Sequence, residues 1–260
     1  MQVVKNIIKQ LLQLNPHSKL SPFKNIIHVG SKTHGYYLPE NFITGSSVCY
    51  LVGAGEDISF DTELVVNYGC KVFILDPAPE GINHFNLLKS KVENGEKIFV
   101  GHKDTPFYYR INKEQLKTIT YLEKGVWDAD TIIKFYEPTL DNYASHSIEL
   151  FQESGRFIEV PVDRLSNIMK SFGHTSIDLL KLEIEGAEYK VIETIIEDKL
   201  DIKAILVEYD EVFHSKGFPY LFRIKKSKDL LLNNGYKLVH TTDLFKCLFV
   251  KKEVYNKFKK

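Results

Sequence analysis

The chain has 260 residues, enough for one large domain without requiring a second. Its 34 basic and 34 acidic residues give a formal net charge of zero, and 43% of all residues are hydrophobic. This composition is typical of a globular protein. It argues against nucleic acid as the main partner, because phosphate binding usually requires a basic excess.

Residues 1–45 are predicted to form an N-terminal helix and an irregular arm. Apolar residues recur at helical spacing between positions 3 and 14, and the helix is expected to pack on the domain or on a second subunit of a homo-oligomer. Binding to a membrane surface is the alternative. In the arm, Tyr36 and Tyr37 follow His34 and Gly35 and are candidates for the wall of a substrate site, with a surface turn as the alternative.

Export and membrane insertion are not expected. No segment approaches the ~20 apolar residues that span a bilayer, and the N-terminus lacks the apolar core of a signal peptide. Cys49, Cys70 and Cys247 are far apart in sequence and lie beside apolar residues, as reduced core cysteines do. A cytoplasmic protein is therefore predicted, and no residue spacing suggests a metal site.

From residue 46 to residue 260 a single domain is predicted, in which strands alternate with helices. The last two strands are too close for a crossover connection and must be antiparallel. The pattern predicts an α/β fold with a doubly wound sheet, mostly parallel, that ends in an antiparallel C-terminal hairpin and a solvated basic tail. Strands are expected at 47–52, 71–76, 118–127, 131–136, 156–162, 177–184, 204–209, 237–240 and 245–251, and helices at 58–68, 81–94, 163–171, 186–198 and 220–233.

A glycine turn follows the first of these strands. Gly53 and Gly55 lie where a doubly wound sheet binds its ligand, and Asp76 ends the next strand, where an acid can hold ribose hydroxyls. Asp57 and Ser59 open the following helix. They are candidates for contact with the ligand, and they could equally serve only to cap the helix.

The acidic character of this turn bears on the choice of cofactor. Glu56, Asp57 and Asp61 would repel a pyrophosphate, and Ile58 replaces the third glycine of the dinucleotide fingerprint. S-adenosyl-L-methionine has an adenosine, no phosphate, and a cationic sulfonium and ammonium. The turn therefore favours S-adenosylmethionine over NAD. An NAD-dependent oxidoreductase and a non-catalytic nucleoside-binding module remain as alternatives.

Several segments resemble the FkbM-type methyltransferases. They are 52–61, 73–77, 125–128 and above all Leu-Lys-Leu-Glu-Ile-Glu-Gly-Ala-Glu at 180–188, in which Glu183 replaces the usual Asp. The resemblance implies a class I methyltransferase (Rossmann-like) fold and S-adenosylmethionine as cofactor. It also implies O-methylation of a hydroxyl on a sugar, a glycan precursor or a natural product, as in carbohydrate biosynthesis.

In a buried strand the alternating charges of Lys181, Glu183 and Glu185 need an explanation. The resemblance makes 177–184 the fourth parallel strand, next to the first, and period two would put the three charges on one face. Glu183 and Glu185 are the predicted catalytic residues, which would attract the cationic donor and orient an acceptor hydroxyl. Lys181 would pair with Glu183 or another acid. A purely structural ion pair is the alternative.

Further site residues are expected around this strand. Besides Glu183 and Glu185, the candidate bases are Glu208 and Asp210 at the end of the fifth strand and the catalytic candidate His214 just beyond it. His146 is a candidate contact to a small-molecule or glycan acceptor. Asp210 is also predicted to contact the acceptor. Both histidines could instead be solvated surface residues. By the resemblance, the cofactor is also contacted by Pro77, Gly125, Val126 and Trp127.

Overall fold

A computed structural model describes residues 12–100, 106–136, 156–211 and 219–259 of the chain. Its strands are β1 (Ile26–Val29), β2 (Tyr36–Pro39), β3 (Val48–Val52), β4 (Lys71–Leu75), β5 (Phe99–Val100), β6 (Phe107–Tyr108), β7 (Ile119–Leu122), β8 (Gly125–Val126), β9 (Thr131–Tyr136), β10 (Phe157–Asp163), β11 (Ser176–Leu182), β12 (Asp201–Glu208), β13 (Tyr236–Thr241) and β14 (Lys246–Lys251). Its helices are α1 (Ser59–Tyr68), α2 (Pro79–Glu93), α3 (Lys113–Leu116), α4 (Leu165–Ser171), α5 (Glu188–Glu197), α6 (Pro219–Asn233) and α7 (Lys252–Phe258).

The centre of the fold is a seven-stranded sheet with the order β13-β14-β12-β11-β3-β4-β7. Within this sheet β12, β11, β3, β4 and β7 run parallel to one another, whereas β14 is antiparallel to both β12 and β13. This confirms a mostly parallel sheet with an antiparallel C-terminal pair. It also confirms that β11 lies beside β3, so the carboxyl ends of both strands meet at one edge.

Both faces of the sheet are buried, as their apolar strands require. Along β3, Cys49 and Leu51 pack into one hydrophobic cluster, and Tyr50 and Val52 pack into the other. The first cluster contains side chains of α1 and α2, and the second those of α4, α5 and α6. The sheet is therefore covered by helices on both sides.

The N-terminal arm was predicted to be irregular, but part of it is regular. β1 and β2 form an antiparallel hairpin, in which Tyr36 and Leu38 are buried against the first cluster. Strands of four residues are too short for their alternation to be separated from loop composition. The helix predicted at 3–14 lies mostly outside the described residues.

The strand predicted at 118–127 is two strands in different sheets. β7 forms the edge of the main sheet, and β8 pairs in parallel with β10, which also pairs with β9 in antiparallel fashion. A Cβ at Gly125 would lie 3.0 Å from Val162 Cγ1 and 3.4 Å from Pro77 Cγ, so glycine allows β8 to approach both residues.

The basic C-terminal segment was predicted to be a solvated tail and is instead a helix, α7. Val254 is buried, and the Phe258 ring packs edge-on against Phe23 and Phe42, with centroid distances of 6.4 and 5.9 Å. The many lysines of this segment obscured its apolar helical face.

Two findings concern the cell-biological predictions. The cysteines at 49, 70 and 247 are buried free thiols. In the part of the chain that the structure describes, no helix has the length and apolarity needed to cross a bilayer.

Candidate functional site

The glycine turn begins where β3 ends, at the carboxyl edge of the sheet. Gly53 has φ +87°, and a Cβ there would lie 1.8 Å from the carbonyl oxygen of Glu183. Gly55 has φ +55°, and no atom lies within 4 Å of the place a Cβ would take. The neighbouring strand thus requires glycine at 53, whereas glycine at 55 leaves space for a ligand to approach the backbone.

The buried carboxylate of Asp76 shapes this turn. Its Oδ2 accepts hydrogen bonds from the amides of Ala54 (2.8 Å) and Gly55 (3.1 Å), and its Oδ1 accepts one from the amide of Ala78 (2.8 Å). A carboxylate accepts about four hydrogen bonds. One position therefore remains for a ribose hydroxyl, and contact with both hydroxyls would require one backbone bond to open.

Gly81 lies beside Asp76, and the sequence did not single it out. A Cβ there would lie 2.8 Å from Asp76 Oδ2 and 2.9 Å from the hydroxyl of Tyr121. That hydroxyl is buried and has no hydrogen-bond partner among the described residues. The sequence signal was a glycine in the first turn of the helix after Asp76. A side chain is normally tolerated at such a position, so a glycine there indicates a close contact.

The residues of β8 take different positions. Gly125 contacts Pro77, which brings two of the predicted cofactor residues together. The Val126 side chain is buried in the second hydrophobic cluster, so it is not available to contact a ligand. Trp127, just after β8, lines a cavity of about 260 Å³ together with Gly186 of the acidic motif (residues 180–188). The rest of its lining comes from α5 and α6, and no residue of the glycine turn lines it.

Asp57 and Ser59 attach the N-terminal hairpin to α1. Asp57 Oδ1 accepts from the amide of Ser59 (2.8 Å), and its Oδ2 accepts from the hydroxyl of Ser31 (2.8 Å). The Ser59 hydroxyl accepts from the amide of Ser31 at 2.7 Å and is fully buried. Burial alone would raise the pKa of Asp57, but hydrogen bonds from His34, Ser59 and Ser31 lower it to about 2.

A buried lysine explains part of the alternating charge pattern. The Lys181 side chain is 2% exposed, and its Nζ lies 2.8 Å from Glu183 Oε2. Burial would lower the pKa of Lys181, but the nearby carboxylates of Glu183 and Asp61 raise it above its usual value. Asp61, on α1, is fully buried, and its oxygens have no hydrogen-bond partner among the described residues. Burial raises the pKa of Asp61 to about 6, and the charge of Lys181 opposes that shift.

The third charge of the pattern does not share this face. β11 ends at Leu182, and Glu185 has φ +51°, which places it in a left-handed turn beyond the strand. Glu188 holds this turn, because its carboxylate accepts from the amides of Ile184 (2.8 Å) and Gly186 (2.9 Å). The period-two argument therefore applies to Lys181 and Glu183 and is wrong for Glu185.

The two tyrosines of the arm point in opposite directions. The buried Tyr36 donates a hydrogen bond to Glu208 Oε2 (2.9 Å), which also lies 2.7 Å from Lys246 Nζ. The exposed Tyr37 packs against the ring of His240, with a centroid distance of 4.5 Å. Tyr36 therefore joins the buried polar network at the end of β12, whereas Tyr37 lies outside it.

Beyond β12, Asp210 is buried, and its Oδ2 has no hydrogen-bond partner in the described part of the chain. Burial, together with the charges of Glu185 and Glu188, raises the pKa of Asp210 well above its usual value. His214 and His146 lie outside the described residues. The described ranges contain no group of side chains arranged to hold a metal ion.

Parts of this chain are similar to known proteins. Residues 51–238 match the family model described as the methyltransferase FkbM domain, which includes both the glycine turn and the acidic motif. The chain is similar to probable methyltransferase-like protein 24 of Homo sapiens (34% identical over 108 residues) and of Rattus norvegicus (37% over 103 residues). Each match covers 36% of this chain and only 28% of the relative. Among solved structures, it is similar to the Methanococcus jannaschii fibrillarin pre-rRNA processing protein, at 14% identity and a TM-score of 0.40, over 80% of this chain and 68% of that one.

Proposed function

This chain belongs to the FkbM methyltransferase family, and on that premise we propose that it transfers a methyl group from S-adenosylmethionine to a hydroxyl of a sugar, glycan precursor or natural product. The observation that carries the proposal is the meeting of the glycine turn with the acidic motif, where Gly53 touches the backbone of Glu183. The mostly parallel sheet with one reversed strand supports the class I methyltransferase arrangement that this family implies.

The residues present fit the cofactor. Space at Gly55 and the remaining acceptor position of Asp76 suit an adenosine, and the acidic turn at Glu56 and Asp57 suits a cation rather than a pyrophosphate. When bound, S-adenosylmethionine supplies a methyl group activated on a cationic sulfonium. The residues we assign to its site are Gly53, Gly55, Asp57, Ser59, Asp76, Pro77, Gly125, Val126 and Trp127.

Glu183 is assigned an electrostatic role. Burial alone would raise its pKa, but the charges of Lys181 and Lys246 lower the pKa of Glu183 below its usual value. The Glu183 side chain is 25% exposed, and with its lowered pKa it stays an anion at the rim of the cleft. Methyl transfer is an in-line displacement, in which a protein contributes mainly orientation and preorganised charge. Glu183 would supply that charge, with Glu185 beside it in the turn.

A hydroxyl acceptor must also lose its proton. A carboxylate with a lowered pKa is a weak base, which makes Glu183 a poor proton acceptor. Burial raises the pKa of both Glu208 and Asp210, and the charge of Lys246 opposes the shift at Glu208. These two carboxyls are better suited to hold the proton, and His214 remains a further candidate. Tyr36 lies beside them, and we assign Tyr36, Tyr37, His146 and Asp210 to the acceptor side.

Calorimetric titration with S-adenosylmethionine, S-adenosylhomocysteine and NAD tests the cofactor. We expect micromolar binding of the first two, weakened in Asp76→Ala, and none of NAD. Binding of NAD alone would overturn the proposal in favour of an oxidoreductase. Incubation with labelled S-adenosylmethionine and panels of glycans, nucleotide sugars and amines then tests the acceptor. Label found only on amines would overturn O-methylation.

A further inference from the structure

The turn between β1 and β2 is docked on the start of α1. The Ser31 amide and hydroxyl bind Ser59 Oγ and Asp57 Oδ2, respectively. Gly30 has φ +93°, and a Cβ there would lie 2.9 Å from the backbone of Phe60. This close fit places residue 34 directly above the acidic turn that follows the glycines.

In the turn between β1 and β2, only one of the two ring nitrogens of His34 has partners among the described residues. Nδ1 lies 3.2 Å from Asp57 Oδ2 and 3.0 Å from Thr33 Oγ1, and the His34 amide donates to Ser31 Oγ (3.1 Å). Nε2 has no hydrogen bond to the described part of the chain, and the side chain is 52% exposed. The ring is therefore oriented by Asp57, beside the start of α1, and its Nε2 is available to a ligand.

The charges around His34 favour its protonated form. The hydrogen bond to Asp57 raises the pKa of His34, burial opposes that shift, and the charges of Glu183 and Lys246 act in opposite directions. The neighbouring lysines are already in ion pairs: Lys181 with Glu183 (2.8 Å) and Lys246 with Glu208 (2.7 Å). These surroundings favour a protonated His34, whose Nε2–H then has no partner in the described part of the chain.

We propose that His34 binds the carboxylate of the amino-acid tail of S-adenosylmethionine through Nε2–H, with Asp57 as the residue that positions the ring. The inference rests on the proposed cofactor. The tail is a zwitterion: its ammonium suits the acidic turn, whereas its carboxylate needs a donor of opposite charge. An imidazolium held by Asp57 at Nδ1 supplies one in a charge-assisted hydrogen bond.

The test compares two ligands by calorimetry with the full chain. One is S-adenosylhomocysteine, and the other is its decarboxylated analogue, which keeps the ammonium and lacks the carboxylate. His34→Ala is expected to weaken binding of S-adenosylhomocysteine by roughly 10- to 100-fold, the effect of losing a charge-assisted hydrogen bond. Its affinity for the analogue should stay within about twofold of wild type, because the lost bond does not exist there. His28→Ala is the matched control, since His28 lies on the same hairpin and packs against Tyr37 rather than Asp57.

A pH series adds a second readout. The preference of the wild type for S-adenosylhomocysteine should be largest at low pH and fall as the pH rises through the raised pKa of His34. Asp57→Asn should move that fall to lower pH. If His34→Ala lowers the affinity for both ligands equally, His34 only organises the turn. If it lowers neither affinity, His34 has no role in binding. Either result overturns the inference. A wild type that binds neither ligand would instead overturn the proposed cofactor, and this inference with it.

Discussion

Gly53 and Glu183 touch through their backbones, so the two motifs of the site form one unit. A Cβ on residue 53 would lie 1.8 Å from the carbonyl oxygen of residue 183. The contact exists because β3 and β11 are adjacent parallel strands that end at the same level, Val52 opposite Leu182. A change in either motif is therefore expected to displace the other.

Gly53→Ala should destabilise the protein by about 2 kcal/mol or more, since it adds a steric clash to an unfavourable positive φ. It should also abolish binding of S-adenosylhomocysteine. Gly55→Ala is the matched control: it carries the positive φ but meets no atom, and should cost about 1–2 kcal/mol. Urea denaturation measures both, and equal losses would show that the contact with residue 183 has no energetic weight.

Lys181→Met should lower the free energy of unfolding by about 3–5 kcal/mol, because it leaves the buried acids near it without their cation. The double variant Lys181→Met/Glu183→Gln should recover part of that loss. Chemical denaturation of the wild type and the three variants completes the double-mutant cycle. A double variant no more stable than Lys181→Met would contradict coupling between the two residues.

Glu183→Gln should reduce methyl transfer by roughly 100-fold or more, since it removes a charge preorganised for the transition state. Folding should be retained, as judged by circular dichroism. The readout is label transferred to an acceptor found in the screen. Glu114→Gln, at an exposed position on α3, is the control and should leave the rate unchanged. Turnover of Glu183→Gln at the wild-type rate would remove Glu183 from the mechanism.

Asp57 and Asp61, one helical turn apart, should affect stability with opposite dependence on pH. The pKa of Asp57 is lowered to about 2, so its stabilising contribution is present above pH about 4 and is lost as the pH falls towards 2. The pKa of Asp61 is raised to about 6, so its contribution is lost as the pH rises from about 4 to 6. Each change amounts to about 2–3 kcal/mol.

Denaturation curves across pH for the wild type, Asp57→Asn and Asp61→Asn measure these contributions. The difference between wild type and Asp57→Asn should shrink below pH about 4, and that for Asp61→Asn should change in the opposite sense between pH about 4 and 6. Parallel curves for all three proteins would contradict both assignments.

Much of the sheet could be predicted from sequence. The central strands are buried on both faces and therefore have continuous apolar sequences such as Val48–Val52. Such a sequence is typical of a buried strand in a parallel sheet. The position of β11 beside β3 came from the resemblance of residues 180–188 to a family. The arm was harder, since β1 and β2 have only four residues each and β2 exposes Tyr37 on one side.

The site was predicted only in part, because its contacts join residues far apart in the chain. Tyr36 binds Glu208, which is 172 residues away in sequence, and no local pattern encodes that contact. His34 was noticed only as a ring beside a glycine, since its contact with Asp57 depends on how the hairpin docks. Asp61 was grouped with the charges of the turn, although it is a buried residue of α1 whose charge raises the pKa of Lys181.

The helix at the C-terminal end links opposite ends of the described chain. Tyr255 stacks on Phe23 and Phe258 packs edge-on against it, only a few residues before the hairpin that carries His34 and Tyr36. Fraying of α7 would therefore be transmitted to the hairpin, and proteolytic removal of the last residues should increase hydrogen exchange at β1 and β2 while the central strands stay protected. The affinity of the proposed cofactor site would then depend on a helix at the far end of the chain.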